Sequence, residues 1–208
     1  TSPEYARFLE DTYDFLSISI RMIWPQLLWS ELFYTWNATE RSIIRQIQRK
    51  IWQQKLLPED KGKSIILSVG RLSPEKRIDL LMDSIPETAV LIVHGDGLES
   101  HKRPLREKAE KTARCYFLPQ YLSAKAMRSA YFGCDLFASA SDMETNGLTV
   151  VEAIACEAPV AVFPAKGHLQ VKDGEDGWYV DFENAKMARQ QLIDCLRKGQ
   201  PASLAASS

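Results

Sequence analysis

The sequence predicts a doubly wound α/β domain, in which helices cover both faces of a parallel sheet. From about residue 61 onward, short apolar runs alternate with segments of helical periodicity. The apolar runs do not alternate strictly with polar residues, which is typical of strands that are buried on both faces. Strands that alternate with helices in this way favour parallel pairing.

The expected elements follow one another in a regular order. Each helical segment carries apolar residues at spacings that place them on one face. The predicted strands are residues 64–69, 89–93, 116–118, 135–138, 159–163 and 178–180. The predicted helices are residues 78–85, 99–113, 123–132 and 183–197, with one more that begins near Gly147. We expect residues 61–200 to form one domain and residues 201–208 to be an Ala/Ser-rich tail.

The first 60 residues differ from the rest of the chain because they hold most of its aromatic mass. Their pattern predicts two or three helices, broken at Pro25 and near Asn37, and then a polar linker over residues 55–63. A membrane-spanning helix over residues 15–36 is disfavoured because charged residues and a proline interrupt the stretch. Packing within a helical core or between domains is favoured, and contact with a membrane surface is the alternative.

Charge and cysteine content restrict the classes of function. The chain has 26 Lys and Arg residues against 27 Asp and Glu residues, so its net charge gives no reason to expect nucleic acid. The four cysteines are widely spaced and form no CxxC pair, and the three histidines are scattered. We therefore expect no metal site, and buried free thiols rather than disulfides. With no secretory signal in this sequence, a cytoplasmic location is expected.

Two carboxylates stand seven intervening residues apart in the segment from residue 141 to residue 153. In an uninterrupted helix, Glu144 and Glu152 would lie roughly 12 Å apart on different faces. They can share a site only if Glu144 lies on a loop and Glu152 lies in the helix that follows. The amides of Gly147, Leu148 and Thr149 would then point between them and offer a phosphate site. One carboxylate on each side suits the hydroxyl groups of a sugar nucleotide.

The loop after the first predicted strand carries two cations. Gly70 allows the backbone to approach a ligand closely, while Arg71 and Lys76 could clamp a diphosphate and stabilise it as it leaves. A surface turn with solvated charges is the alternative. Ligands of doubly wound sheets bind at the carboxyl ends of the strands, where this loop and the Glu144 loop should both lie. The segment at residues 95–97, Gly-Asp-Gly, follows the second strand. We interpret it mainly as a tight turn, for which glycine and aspartate are favoured, rather than as a ligand contact.

In their order along the chain, these segments resemble the C-terminal, donor-binding half of a retaining GT-B glycosyltransferase of the large family four. That family includes sucrose, phosphatidylinositol-mannosyl and sulfolipid synthases. The resemblance covers residues 61–198 and implies a Rossmann-like domain. Each motif is weak alone, but the ordered set is specific. The matching segments are Gly70-Arg71 with Lys76, Gly95-Asp96-Gly97, Phe117 to Tyr121, and Glu144-x7-Glu152 with the Ala-rich run that follows.

The resemblance implies a role for each matched position. Arg71 and Lys76 would hold the donor diphosphate, and Glu144 would hydrogen-bond hydroxyls of the donor sugar. Glu152 would bind the ribose hydroxyls, and Tyr121 falls where a residue usually contacts the base. No metal and no cofactor are implied, and a UDP-linked sugar is the favoured donor. The donor-binding positions together are Gly70, Tyr121, Asn146, Gly147, Leu148, Thr149 and Glu152.

Three departures from the family pattern affect this interpretation. Glu157 stands where the family usually has glycine, so the helix end should adapt. Pro119 replaces a glycine in the base-binding loop, which leaves the base open. Family members also carry a whole N-terminal domain that supplies the acceptor site, and residues 1–60 are too few for it. We expect the chain to be a fragment or truncated product that transfers little sugar alone.

Other functions remain open. A non-catalytic remnant that binds nucleotide sugars, or an interaction module, would explain the missing domain. A nicotinamide dehydrogenase is disfavoured because no GxGxxG follows the first strand. The acceptor is unknown, although the sulfolipid-synthase-like character and the Trp-rich start favour a lipid at a membrane surface.

Overall fold

The computed structural model describes residues 38–118, 122–144, 147–168, 171–175 and 177–199. These residues form a six-stranded sheet in the order β3-β2-β1-β4-β5-β6. All neighbouring strands in this sheet run parallel. Each strand lies within one residue of its predicted bounds, so the predicted fold class is confirmed. The strands are β1 (Ser64–Val69), β2 (Ala89–His94), β3 (Cys115–Leu118), β4 (Leu136–Ser139), β5 (Val160–Val162) and β6 (Gly177–Tyr179).

Six α-helices accompany the sheet in the described part of the chain, and two of them begin with a side-chain cap. Ser123 accepts a hydrogen bond from the amide of Ala126, and Asn184 accepts one from the amide of Met187. Such caps satisfy amides that the first helical turn leaves free. The helices are α1 (Ala38–Gln53), α2 (Ile78–Asp83), α3 (Glu99–Lys111), α4 (Ala124–Gly133), α5 (Leu148–Ala155) and α6 (Ala185–Lys198).

Both faces of the sheet are packed, which explains why most residues of the strands are apolar. In β2, Val90 and Ile92 belong to one hydrophobic cluster, while Leu91 and Val93 belong to the cluster on the other face. Residues with opposite parity in a strand point to opposite faces of the sheet. An alternating apolar and polar pattern would therefore have left one face unsuited to its helices.

Helix α1 packs against α4 and joins the core of the sheet domain. The side chain of Trp52 is only 1% exposed. Gly133 at the end of α4 permits this contact, because a Cβ there would lie 2.9 Å from a Trp52 ring carbon and 2.6 Å from Gln48 Cγ. The core thus includes residues that precede residue 61.

Charged hydrogen bonds hold α1 at the amino end of the sheet. The Asp135 carboxylate accepts from Arg45 at 2.6 Å and from Arg49 at 2.8 Å. It also accepts from the amide of Ile65 at 2.8 Å, at the start of β1. One carboxylate therefore ties α1 to two central strands, β1 and β4.

The end of α5 carries Glu157, where we expected the helix end to adapt to the absence of glycine. Glu157 adopts the left-handed conformation, with φ of 58°, that a glycine would favour. A non-glycine residue there costs about 1–2 kcal/mol. An ion pair between Glu157 and Arg41 on α1 accompanies this conformation.

This conformation leads to a prediction about stability. We expect Glu157→Gly to be more stable than Glu157→Ala by about 1 kcal/mol, since both lose the ion pair but only glycine relieves the left-handed strain. At Glu107, exposed in the middle of α3, the order should reverse, with alanine more stable by about 1 kcal/mol. Urea denaturation of the four variants measures both differences. The same order at both positions would contradict the prediction.

The strand order determines where a ligand can bind. The chain moves outward from β1 to β2 and β3, and then returns to place β4 on the other side of β1. The loops after β1 and β4 therefore diverge and leave a crevice at the carboxyl end of the sheet. These are the loops that carry Lys76 and Glu144.

Several sequence predictions lie outside the described residues. They concern residues 1–37 and 200–208, and also Pro119, Tyr121 and Asn146. Among the residues that are described, no helix is long and apolar enough to cross a membrane.

Candidate functional site

A lysine and a glutamate meet across the crevice between the β1 and β4 loops. Lys76 ends the short 3-10 turn Pro74–Lys76, and its ammonium donates a hydrogen bond to Oε1 of Glu144. The Lys76 side chain is 20% exposed and that of Glu144 is 11% exposed. The two loops therefore converge on one rim, and in this structure the two side chains neutralise each other.

Backbone contacts hold these two loops together. The Glu75 carbonyl accepts hydrogen bonds from Ser141 Oγ at 3.1 Å and from the amide of Asp142 at 3.3 Å. Ser141 also donates to the carbonyl of Met143 at 3.2 Å. Sequence reasoning included Ser141 in the segment after the fourth strand but gave it no role. Its hydroxyl fixes the loop from which Glu144 projects.

Arg77 adds a second connection between the same loops. Its backbone is left-handed, with φ of 49°, at the start of α2. The guanidinium lies 4.7 Å from the centre of the Phe163 ring, 3.0 Å from Glu183 and 3.7 Å from Asp142. These contacts offset a strained backbone. They also hold the residue next to Lys76 against β5 and the Glu144 loop.

Arg71 lies on the expected loop but outside the buried pair. Its side chain is 71% exposed, and it contacts Glu75 Oε1 at 2.6 Å. The same oxygen accepts a hydrogen bond from Ser73, which together with Arg71 holds the pKa of Glu75 at about 2. Sequence reasoning assigned Arg71 and Lys76 to one clamp. In this structure Lys76 contacts Glu144, whereas Arg71 contacts Glu75.

The turn at residues 95–97 supports the β1 loop. A Cβ on Gly95 would lie 1.9 Å from the carbonyl oxygen of Gly70, and one on Gly97 would lie 2.3 Å from that of Leu72. The amide of Leu72 donates to the carbonyl of Asp96 at 2.8 Å. The two glycines are therefore needed for close backbone packing next to Arg71, which agrees with their interpretation as part of a turn.

The start of α5 presents amides toward the crevice. Gly147 has φ of 52°, and among the described residues no side chain caps the helix. The amides of Val150 and Val151 already donate to the Gly147 carbonyl, at 2.8 and 3.1 Å. Helix geometry leaves the amides of Leu148 and Thr149 without an intrahelical acceptor. This end of the helix also carries the positive end of the helix dipole, so it favours an anion.

Glu152 lies inside α5, as predicted, but it is only 6% exposed. Its Oε2 accepts a hydrogen bond from the hydroxyl of Tyr131 at 2.7 Å. Burial raises the pKa of Glu152 to about 7, although the bond from Tyr131 opposes that rise. Burial also raises the pKa of Tyr131 well above its usual value. Sequence reasoning missed Tyr131, whose partner lies on a different helix.

His168 is a further polar group that the sequence did not single out. It is fully buried, and its Nδ1 lies 2.7 Å from the carbonyl oxygen of Phe163. A carbonyl can only accept, so Nδ1 carries the proton and Nε2 presents a lone pair. Within the described residues Nε2 has no hydrogen-bond partner. Burial lowers the pKa of His168, while the charges of Glu144 and Lys76 act on it in opposite directions.

Metal-binding clusters and disulfides are absent from the described part of the chain. There, no cluster of three or more His, Cys, Asp or Glu residues could hold a metal ion. All four cysteines are free, and three are buried, as expected. Burial raises the pKa of Cys115, Cys134 and Cys195 to about 12, which keeps these thiols protonated and unreactive.

The rim thus combines the Lys76 ammonium, the Glu144 carboxylate and the amides at the start of α5, and the buried Glu152 carboxylate lies further along the same helix. The amides at the start of α5 and the ammonium of Lys76 can bind the oxygens of an anion. Carboxylates accept hydrogen bonds from hydroxyl groups. Such a site suits a phosphate ester that carries hydroxyl-rich groups.

Two relatives among known sequences are named as sugar transferases. A sulfoquinovosyl transferase of Arabidopsis thaliana is 34% identical over 110 residues, which are 50% of this chain and 20% of that protein. A D-inositol 3-phosphate glycosyltransferase of Mycolicibacterium smegmatis is 31% identical over 161 residues, or 73% of this chain and 36% of that protein. The chain therefore spans between a fifth and about a third of the length of these relatives.

Solved structures with the same fold include HepE of Anabaena in complex with UDP and glucose. That comparison has a TM-score of 0.66 at 23% identity and covers 80% of this chain and 47% of HepE. The C-terminal domain of LpcC, a group 1 family protein from Francisella tularensis, gives a TM-score of 0.61 at 20% identity, covering 77% of this chain and 92% of that domain. The family model described as glycosyl transferases group 1 matches residues 48–205. Because this match extends over well more than half of the chain, the protein belongs to the group 1 glycosyl transferases.

Proposed function

We propose that this chain is the donor-binding domain of a retaining glycosyltransferase that uses a nucleoside-diphosphate sugar, with UDP as the nucleotide. The observation that carries the proposal is the Lys76–Glu144 pair beside the start of α5, where the N-cap residue is a glycine. These groups offer a cation and free amides to a diphosphate, and a carboxylate to the sugar next to it. HepE, which shares the fold, was solved with UDP and glucose.

Donor binding would rearrange the Lys76–Glu144 pair. Lys76 would turn to the diphosphate, where its charge also stabilises the leaving group as negative charge develops. Glu144 would then be free to accept hydrogen bonds from hydroxyls of a hexosyl group. Retention implies attack from the face of the leaving group, whose phosphate oxygen would take the proton of the acceptor.

The acceptor belongs to the part of the proposal that concerns the whole protein. We infer that a separate N-terminal GT-B domain supplies the acceptor site and the opposite wall of the cleft, since relatives of this chain are much longer. A lipid acceptor, and work in the cytoplasm at a membrane surface, fit the aromatic-rich residues 13–36. Little or no transfer is expected from this chain alone.

Calorimetric titration with UDP tests the proposed donor site. We expect saturable binding that Arg71→Ala weakens only a few-fold, because the exposed Arg71 side chain is already paired with Glu75. Arg103→Ala is a matched control, since Arg103 is 76% exposed and lies 3.7 Å from Glu107 four residues later. Arg103→Ala should leave UDP binding unchanged.

The outcomes separate the competing functions. No heat at millimolar UDP would reject the donor site. UDP binding without sugar transfer, even after a separate N-terminal domain is added, would favour the non-catalytic nucleotide-sugar binder. Transfer restored by that domain would support the enzyme.

A further inference from the structure

A buried tyrosine controls one oxygen of the Glu152 carboxylate. Tyr131 on α4 is fully buried, and its ring packs edge-on against Phe137 at 5.6 Å between ring centres. Its hydroxyl donates to Glu152 Oε2 at 2.7 Å. A phenol hydroxyl has one proton to donate, whereas a carboxylate has two accepting oxygens. The hydrogen bond therefore fixes the orientation of the carboxylate through Oε2, and the other oxygen, Oε1, is not engaged by Tyr131.

The location of Glu152 relates this oxygen to the proposed phosphate site. Glu152 lies four residues after Leu148, so the two residues share one face of α5, one turn apart. The free amides of Leu148 and Thr149 lie at the start of that helix. In a nucleotide the ribose is directly attached to the phosphate. A ribose that extends along α5 from a phosphate at these amides would lie within about one helical turn of Glu152.

We propose that Tyr131 is a positioning residue that orients Glu152 so that Oε1 accepts hydrogen bonds from the ribose hydroxyls of the bound nucleotide. This inference rests on the proposed function. It assigns to the Tyr131–Glu152 pair a specific task, discrimination of ribonucleotides from 2′-deoxyribonucleotides. The ligand class is a ribonucleoside diphosphate or its sugar ester.

The surroundings of the pair make this discrimination depend on pH. Burial raises the pKa of Glu152 to about 7, and the Tyr131 hydrogen bond lowers it. The other titratable groups near the pair are Cys134 and Cys156, whose thiols burial keeps neutral, while Arg128 and Glu157 act on Cys156. An ionised carboxylate is the stronger acceptor. Discrimination should therefore grow as pH rises through about 7 and fade below it.

Calorimetric titration of the whole chain with UDP and with 2′-deoxy-UDP tests the inference. Both ligands carry the same diphosphate, so titration of the phosphate cancels in the ratio of their dissociation constants. At about pH 8 we expect UDP to bind the unmodified chain about tenfold more tightly than 2′-deoxy-UDP. Near neutral pH, we expect Tyr131→Phe to lower the ratio of the two dissociation constants to about the value found for Glu152→Gln. Raising the pH should partly restore the ratio in Tyr131→Phe only, since loss of the hydrogen bond raises the pKa of Glu152.

A matched control separates positioning from structural damage. Tyr116→Phe removes another tyrosine-to-carboxylate hydrogen bond, to Asp60 at the amino end of the sheet, and should leave the ratio unchanged. Tyr131→Phe keeps the ring that packs against Phe137, and a thermal melt checks its fold. The pH profile of the unmodified chain tests separately whether the ionised Glu152 carboxylate is the acceptor.

Two results would overturn the inference. One is a ratio near one for the unmodified chain at every pH, and the other is an unchanged ratio and pH profile in a folded Tyr131→Phe. Failure of the unmodified chain to bind either nucleotide would instead reject the proposed donor site. The role of Tyr131 can therefore fail while UDP binding, and with it the proposed function, stands.

Discussion

Replacing Lys76 by alanine is expected to weaken UDP binding by about 2–3 kcal/mol, or roughly 30- to 150-fold. Two effects add in the same direction. The diphosphate loses a charge-assisted hydrogen bond from a partly buried ammonium. Glu144, which is paired with Lys76 in this structure, then becomes an uncompensated negative charge beside an anionic ligand. Calorimetric titration of the variant with UDP measures the loss.

The control for this prediction is a lysine in a similar ion pair elsewhere. Lys108 on α3 contacts Asp83 at 2.6 Å, and Lys108→Ala should leave UDP binding unchanged. Lys76→Ala combined with Glu144→Gln should recover part of the lost affinity, because the repelling charge is gone. Equal UDP affinity in Lys76→Ala and the unmodified chain would show that the diphosphate does not bind at this pair.

The variant Glu144→Gln alone distinguishes contacts with the donor sugar from contacts with the nucleotide. We expect it to bind UDP at least as well as the unmodified chain, because Lys76 is released from its partner. The added affinity for UDP-glucose over UDP should disappear if Glu144 contacts the sugar. Weaker UDP binding with an unchanged preference for UDP-glucose would contradict the assigned role.

Replacing Trp52 by alanine is expected to lower the free energy of unfolding by about 3–5 kcal/mol. The ring is 1% exposed and lies in the cluster that α1, α4 and the sheet share, so truncation leaves a large cavity. Small domains are stable by only about 5–15 kcal/mol, which makes this a large fraction of the total. Urea denaturation followed by circular dichroism measures the change.

Ile47→Ala on the same helix is the control. Ile47 is 53% exposed, so its removal should change the stability by less than about 0.5 kcal/mol. Similar small effects at Trp52 and Ile47 would mean that α1 is only loosely attached. A large effect confined to Trp52 would establish that a stable donor domain must begin before residue 61.

The strands and the rim loops could be predicted because their signals are local. A mostly apolar run such as residues 64–69, without strict alternation, indicates a strand buried on both faces, whatever it packs against. The glycine and polar residues after each run mark the carboxyl end of a strand. In a parallel sheet all such ends lie on one side, so Lys76 and Glu144 could be assigned to one rim from order alone.

Other features could not be predicted because they depend on neighbours distant in the chain. Trp52 was assigned to an aromatic segment outside the regular domain, and only the packing of α1 on α4 places it in the core. The ion pair of Glu157 could not be predicted either, because its partner Arg41 lies on a different helix. Nor could the sequence indicate that Arg71 is exposed and pairs with Glu75 rather than with a group in the crevice.

For this chain, the pattern of residues was sufficient to specify the class of fold, the rim and the family, since each is written in short stretches of contiguous sequence. The chemical state of the site was not. Lys76 meets Glu144 because β4 is inserted beside β1, and Glu152 is buried and held by Tyr131 because α4 packs on α5. Charge pairing and burial act through space between segments far apart in the chain, and the folded arrangement is what brings those segments together.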